Sequence, residues 1–151
     1  MTDLADLETY LHTHIPISGP MGVTVAEASA RQVVLRASLE ANINHKSTAF
    51  GGSLQALATL SCWTLLHLNL STSTKPGEIV ITGSNISYIR PVTRDFEAVA
   101  TLPDATSWHT FLKTFDRRGR GRIQLSAHIF EDDELAVDYA GTFAALKNAH
   151  G

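Results

Sequence analysis

From Gly51 to Thr74 the chain carries no Asp, Glu, Lys or Arg. Most of that run reads GGSLQALATLSCWTLLHLNL, rich in leucine and alanine and opened by a glycine pair. Strong helix formers dominate it, so it predicts one long helix. A helix apolar on most of its sides needs cover on most of its sides, inside a fold or inside a bilayer. Gln55, Thr59, Ser61, Thr64, His67 and Asn69 interrupt the run too often for a bilayer span, and strongly basic flanks are missing. The run therefore predicts a buried central helix that the rest of the chain must wrap.

The flanking segments supply the wrapping. Leu4, Leu7 and Leu11 recur at helical spacing, with Thr2 placed to cap and Pro16 to stop a short amphipathic helix. Two strands are expected near 22–28 and 32–39, on either side of a turn. STSTKPG, residues 71–77, reads as a turn after the long helix. EIVITGSNISYIRPV then alternates up to Pro91, and FEAVATL alternates again. Trp108, Phe111, Leu112 and Phe115 stand at i, i+3, i+4, i+7 and predict a second short helix, followed by DRRGRGR. RIQLSAHIF and ELAVDYAGTFAAL read as strands joined by the acidic turn EDDE. Short connections between these strands imply an antiparallel sheet. The class is α+β, a curved antiparallel sheet around a long central helix. With 151 residues, 44% apolar and 18% charged, residues 1–151 suit a single domain with a real core.

Charge and composition exclude several functions. A net charge of -3 argues against a nucleic-acid binder. The one cysteine, Cys62, lies inside the apolar run and reads as a small buried hydrophobe. His12 and His14 are two apart and share no helix face, the other histidines are scattered, and no metal is expected. The N-terminal MTDLADLETYL has acids and no basic segment, so no export signal and a cytoplasmic location are expected.

Three motifs remain: NINHKSTAFGGSL at 42–54, YIRPV at 88–92 and GRGRIQLS at 119–126. Together with the predicted architecture, they resemble the hotdog-fold acyl thioesterases, in particular the small family found alone or fused behind an acetyltransferase domain. The resemblance runs from about Met21 to Leu146. It implies a homodimer or a dimer of dimers, with sites built from both chains at the protomer interface. It also implies hydrolysis of an acyl thioester of coenzyme A or acyl carrier protein, with no cofactor beyond the coenzyme A of the substrate, no nucleic acid and no membrane. In the phenylacetyl-CoA type the matching stretch is Asn-x-x-Gly-x-x-His-Gly-Gly, with a carboxylate further along the helix. Asn44 takes the Asn place here, Ser47 the Gly place, and Gly51-Gly52 match. Phe50 replaces the His, and Thr59 stands at the carboxylate place.

Thioester hydrolysis needs donors for the oxyanion and a group that orients or deprotonates water. A helix N-terminus offers free N–H groups and a positive dipole end, and glycines let a carbonyl approach the backbone. Gly51 and Gly52 are the oxyanion candidates; the same pair also suits a tight turn. Asn44 is placed to hold water, and Thr59 and Ser61 to orient water or line the acyl end. For both hydroxyls the competing reading is a bond back to the carbonyl one turn earlier in their own helix, and for Ser61 that reading is favoured. His45 is the base candidate if it points inward, and an exposed loop residue otherwise. Phe50 and Arg90 are expected to touch substrate. Arg118, Arg120 and Arg122, around two glycines, suit the coenzyme A phosphates or a solvated turn. Ser53 makes no nucleophile elbow, because Gln55 stands where that motif needs glycine. A non-catalytic acyl-thioester binding module and a hydroxyacyl-thioester dehydratase are the alternatives. The helix has no acid, which favours the first of these over the second.

Overall fold

The computed structural model describes residues 3–71 and 77–147. In chain order the elements are α1 (Leu4–His14), β1 (Thr24–Ala28), β2 (Gln32–Ala37), α2 (Gly51–Leu70), β3 (Gly77–Tyr88), β4 (Phe96–Thr101), α3 (Ala105–Arg118), β5 (Arg120–Glu131) and β6 (Glu134–Lys147). The strands form one antiparallel sheet in the order β1-β2-β4-β5-β6-β3. The sheet curves around α2, the wrapping expected from the charge-free run and the hotdog arrangement that the resemblance implied. Among the described residues, no helix is long and apolar enough to cross a membrane.

The helix α2 packs against β2, β3, β4, β5 and β6. Leu54, Leu57, Ala58, Leu60, Cys62, Leu65, Leu66 and Leu70 are buried on it. Each such leucine contributes on the order of 2 kcal/mol by leaving water. Its buried hydroxyls are satisfied within the helix: Ser61 donates to the Ala58 carbonyl at 2.8 Å and Thr64 to the Leu60 carbonyl at 2.7 Å. These local bonds explain how polar residues sit in a helix so deeply covered. One stripe stays half-open, formed by Gln55, Thr59, Trp63 and His67 at i, i+4, i+8, i+12. That stripe runs beside β3. Gln55 reaches the Ser84 hydroxyl and Trp63 donates to the Ile79 carbonyl.

Several element bounds differ from expectation. The strands expected at 22–28 and 32–39 are shorter, because Gly22 at φ 71° and the Glu40–Asn42 3-10 turn break the extended backbone. The Thr2 cap and residues 72–76 of the expected turn lie outside the described residues; Asp3 caps α1 by accepting from the Asp6 N–H. The second short helix runs on through Asp116, Arg117 and Arg118, which were expected to lie beyond it. It stops at Gly119, whose φ of 72° is the left-handed helix end that glycine favours. In the EDDE hairpin, Asp132 and Asp133 both take positive φ, as a two-residue type I′ turn requires.

Two outcomes follow from these local constraints. A Cβ at Gly119 meets nothing closer than 3.9 Å, so Gly119→Ala tests backbone strain alone. It should cost about 1 kcal/mol of unfolding free energy in urea titrations. Burial pushes the Cys62 thiol up to about 12, against a weaker opposing bond with Ser61. Folded protein at pH 8 should therefore resist alkylation by iodoacetamide, and label stoichiometrically once denatured.

Candidate active site

The loop 43–50 is built by one side chain. Asn44 Oδ1 accepts from the Lys46 N–H at 2.8 Å and the Thr48 N–H at 3.2 Å. Its Nδ2 donates to Thr48 Oγ1 at 2.9 Å and to the Ala49 carbonyl at 3.4 Å. The backbone of Asn44 adds a bond to the Thr48 carbonyl at 2.8 Å. A primary amide has two donors and two acceptor lone pairs, and here all four are taken inside the loop. Asn44 thus shapes the loop, with no hydrogen-bonding position left over for water. Asn42, two residues earlier, is buried and donates to the Met21 and Ser38 carbonyls at 2.8 Å. Ser47 sits at φ 63°, in the left-handed region that glycine adopts most readily.

The loop is tied down at its far end. The Ala49 N–H donates to the Val92 carbonyl and the Phe50 N–H to the Asn42 carbonyl. Phe50 is the N-cap of α2 and has no side-chain cap to offer. Its carbonyl takes the Ser53 and Leu54 N–H groups. The Gly51 and Gly52 N–H groups meet no acceptor among the described residues. They are two parallel donors at the positive end of a 20-residue helix. The glycines differ in why they are needed. A Cβ at Gly52 would come 2.5 Å from the Phe50 ring, which lies over this residue and is itself 57% exposed. A Cβ at Gly51 would make only ordinary contact, at 3.5 Å, with Tyr88. Tyr88 Oη donates to the Gly51 carbonyl at 3.0 Å and so fixes the first turn from β3. A cavity of about 290 Å³ opens beside this turn, between Thr48, Gly51, Leu54, Tyr88, Arg90 and Val92.

The other candidates fall in three places. His45 is exposed on the loop, and Arg90, at the rim of the cavity, pairs with Glu134. Ser61 is fully buried and bonded to its own helix, away from the cavity. Thr59 lies eight residues along α2 from Gly51, about 12 Å at the rise of a helix. Its Oγ1 pairs with Tyr139 Oη at 2.8 Å. Arg118, Arg120 and Arg122 are exposed at the opposite end of the sheet. Tyr88 pairs across to Val137 on β6, whereas Arg120 pairs with Leu146, nine residues along that strand. At strand rise that is roughly 30 Å. Within one chain the helix mouth and the arginines do not form one site.

Sequence reasoning missed Tyr88 as a support of the helix mouth and Tyr139 as the partner of Thr59. Tyr88 opens the YIRPV motif, so a signal was present without its meaning. Nothing local marks Tyr139, which stands 80 residues from Thr59.

Residues 4–147 match the family described as "Putative thioesterase (yiiD_Cterm)". A protein of unknown function from Chlorobaculum tepidum has a similar structure, with TM-score 0.89 and 34% identity over 95% of this chain and 94% of that one. A "putative thioesterase" from Shewanella oneidensis follows at TM-score 0.83 and 26% identity, over 95% and 96% of the two chains. A thioesterase from Haemophilus influenzae, at TM-score 0.77 and 15% identity over 100% and 96%, is a likeness of fold alone.

The loop conformation can be tested directly. Ser47→Val places a β-branched residue at positive φ and should lower the unfolding free energy by about 1–2 kcal/mol. Ser47→Gly should leave it within about 0.5 kcal/mol of the parent, since relief of strain offsets the greater freedom of the unfolded chain. Equal losses in both variants would mean that the serine hydroxyl, rather than φ, matters there.

Proposed function

The chain belongs to that thioesterase family, and on this footing we propose that it hydrolyses an acyl thioester of coenzyme A or of acyl carrier protein, using the mouth of α2 as its oxyanion hole. The observation that carries the reading is the pair of unbonded N–H groups at Gly51 and Gly52. Donors fixed in advance toward a developing negative charge are the largest single aid to acyl transfer. The thioester carbonyl oxygen sits at these donors, with the carbonyl carbon over the cavity beside Tyr88. Water adds to that carbon and gives up a proton to solvent at the open mouth, which returns one to the departing sulfur, and the negative oxygen rests on the two N–H groups. The C–S bond then breaks, and acid and thiol leave. His45, exposed on the loop, takes no part in this step, and Phe50 shields the mouth from solvent on one side.

The site is completed by a second copy of the chain. The edge strand β3 has 12 residues and leaves Val80 and Ile81 at 46% and 43% exposure. A long apolar edge of this kind is a pairing surface. Antiparallel pairing of β3 with its own copy sets the Gly77 end of one chain beside the Tyr88 end of the other. The arginines of the second copy then approach the helix mouth of the first, where they reach the phosphates of coenzyme A. The stripe of Gln55, Thr59 and Trp63 faces the same seam.

Three measurements test this reading. Purified protein should release thiol from at least one member of an acyl-CoA panel of graded chain length. Binding without thiol release leaves the non-catalytic module, and hydration of an enoyl thioester leaves the dehydratase. Gly51→Pro removes one donor at the helix position that best tolerates proline, after a residue already extended at ψ 131°. It should keep the fold and lower kcat by about 100-fold; an unchanged kcat removes this N–H from the mechanism. Val80→Lys with Ile81→Lys should give a monomer by light scattering that no longer turns over. An active monomer rejects the shared site.

A further inference from the structure

The helix α2 carries no carboxylate, so something else has to fix the attacking water. Thr59, on the half-open stripe of that helix, is set apart by its bonding from the buried hydroxyls beside it. Ser61 and Thr64 both bond back to carbonyls of their own helix. Helical threonine divides between two rotamers for this reason, one of which satisfies the hydroxyl locally and leaves it unavailable. Thr59 is instead held by Tyr139, across from β6, at 2.8 Å.

Tyr139 is itself placed for this contact. It is fully buried, on the inward face of β6, and Thr59 is the partner of its hydroxyl. Gly141, two residues on along the same face, makes room for the phenol. A Cβ there would come 2.6 Å from Tyr139 Oη and 2.9 Å from the Phe143 ring. The mid-strand glycine, which weakens a strand for its own sake, has a reason in this clearance. Burial also moves the phenol pKa upward, so Tyr139 stays protonated and able to donate at neutral pH. A phenol is a better donor than an alcohol. With the phenol as the donor in this pair, the threonine O–H and one lone pair are left for another partner. Thr59 is only half-buried, on the open stripe of α2.

We propose that Tyr139 is a positioning residue: it holds the Thr59 hydroxyl out of its local bond, so that Thr59 orients the water that attacks a thioester held at the helix mouth of the second copy, its own helix mouth being about 12 Å away. Gly141 is the clearance that the arrangement needs. The inference rests on the thioesterase reading above and goes beyond it by assigning Tyr139 as the residue that sets the Thr59 hydroxyl.

A double-mutant cycle on the full-length protein, with thiol release as readout, decides it. Tyr139→Phe keeps the ring and removes the hydroxyl, freeing Thr59 to bond back to its helix. It should lower kcat about tenfold with KM unchanged. Thr59→Val should do the same, and the double variant should be no worse than Thr59→Val alone. Thr59→Ser, which keeps a hydroxyl, should recover part of the loss. Melting temperature is followed in parallel, since a merely structural tyrosine would shift it while leaving kcat per folded molecule intact. Wild-type kcat in Tyr139→Phe, or multiplicative losses in the double variant, overturns the proposal and leaves thioester hydrolysis standing. If Tyr139→Phe does not fold, Gly141→Ala replaces it, displacing the phenol oxygen without deleting it. The same fall in kcat is expected, and wild-type kcat again overturns the proposal. Absence of thiol release from the wild type defeats the thioesterase reading and this inference together.

Discussion

Burying one nearly uncharged helix on almost every side is the condition from which the rest of this structure follows. A single layer of helices or a flat sheet covers one face of α2 and leaves the others wet. A six-stranded antiparallel sheet that curves around it meets it with five strands at once and contributes their inward-facing residues to one core. The half-open stripe at Gln55, Thr59, Trp63 and His67 is where that wrapping stops, along the edge strand β3. This seam is where the covered helix comes back to the surface.

The same burial organises the helix mouth. A helix whose body is fixed by packing has its N-terminus fixed as well, so two backbone donors keep their direction without any side chain to hold them. The supporting bonds come from three parts of the chain: the Asn44 loop, the Val92 carbonyl that takes the Ala49 N–H, and Tyr88 on β3. Preorganised donors of this sort do not have to reorganise as charge develops, which is why backbone groups serve acyl transfer so well.

Much of this was legible in order along the chain, and the reasons it was legible are local. A charge-free run of helix formers, alternating strands and glycine-marked turns are properties of residues a few positions apart. Boundaries were less so: Asp116 to Arg118 read as loop residues but belong to α3, since only the left-handed Gly119 ends that helix. Side-chain roles were the least legible. Asn44 has the chemistry to hold water, and the sequence places it in the right motif, but its amide is consumed by its own loop. The arginines have the chemistry to hold phosphate, yet strand register sets them at the other end of the sheet from Gly51.

What the sequence by itself determined is the covered helix, the α+β class and the glycine pair at the helix mouth. Those depend on composition and short-range periodicity, which the chain carries wherever it goes. The tertiary structure alone decided which groups remain available for chemistry. Whether a hydroxyl bonds its own helix, as Ser61 does, or a phenol 80 residues away, as Thr59 does, depends on strand register and on the space left by one glycine. Hydrogen bonds reach only about 3 Å, and residues that distant in sequence come within that range only when the whole sheet has closed around the helix.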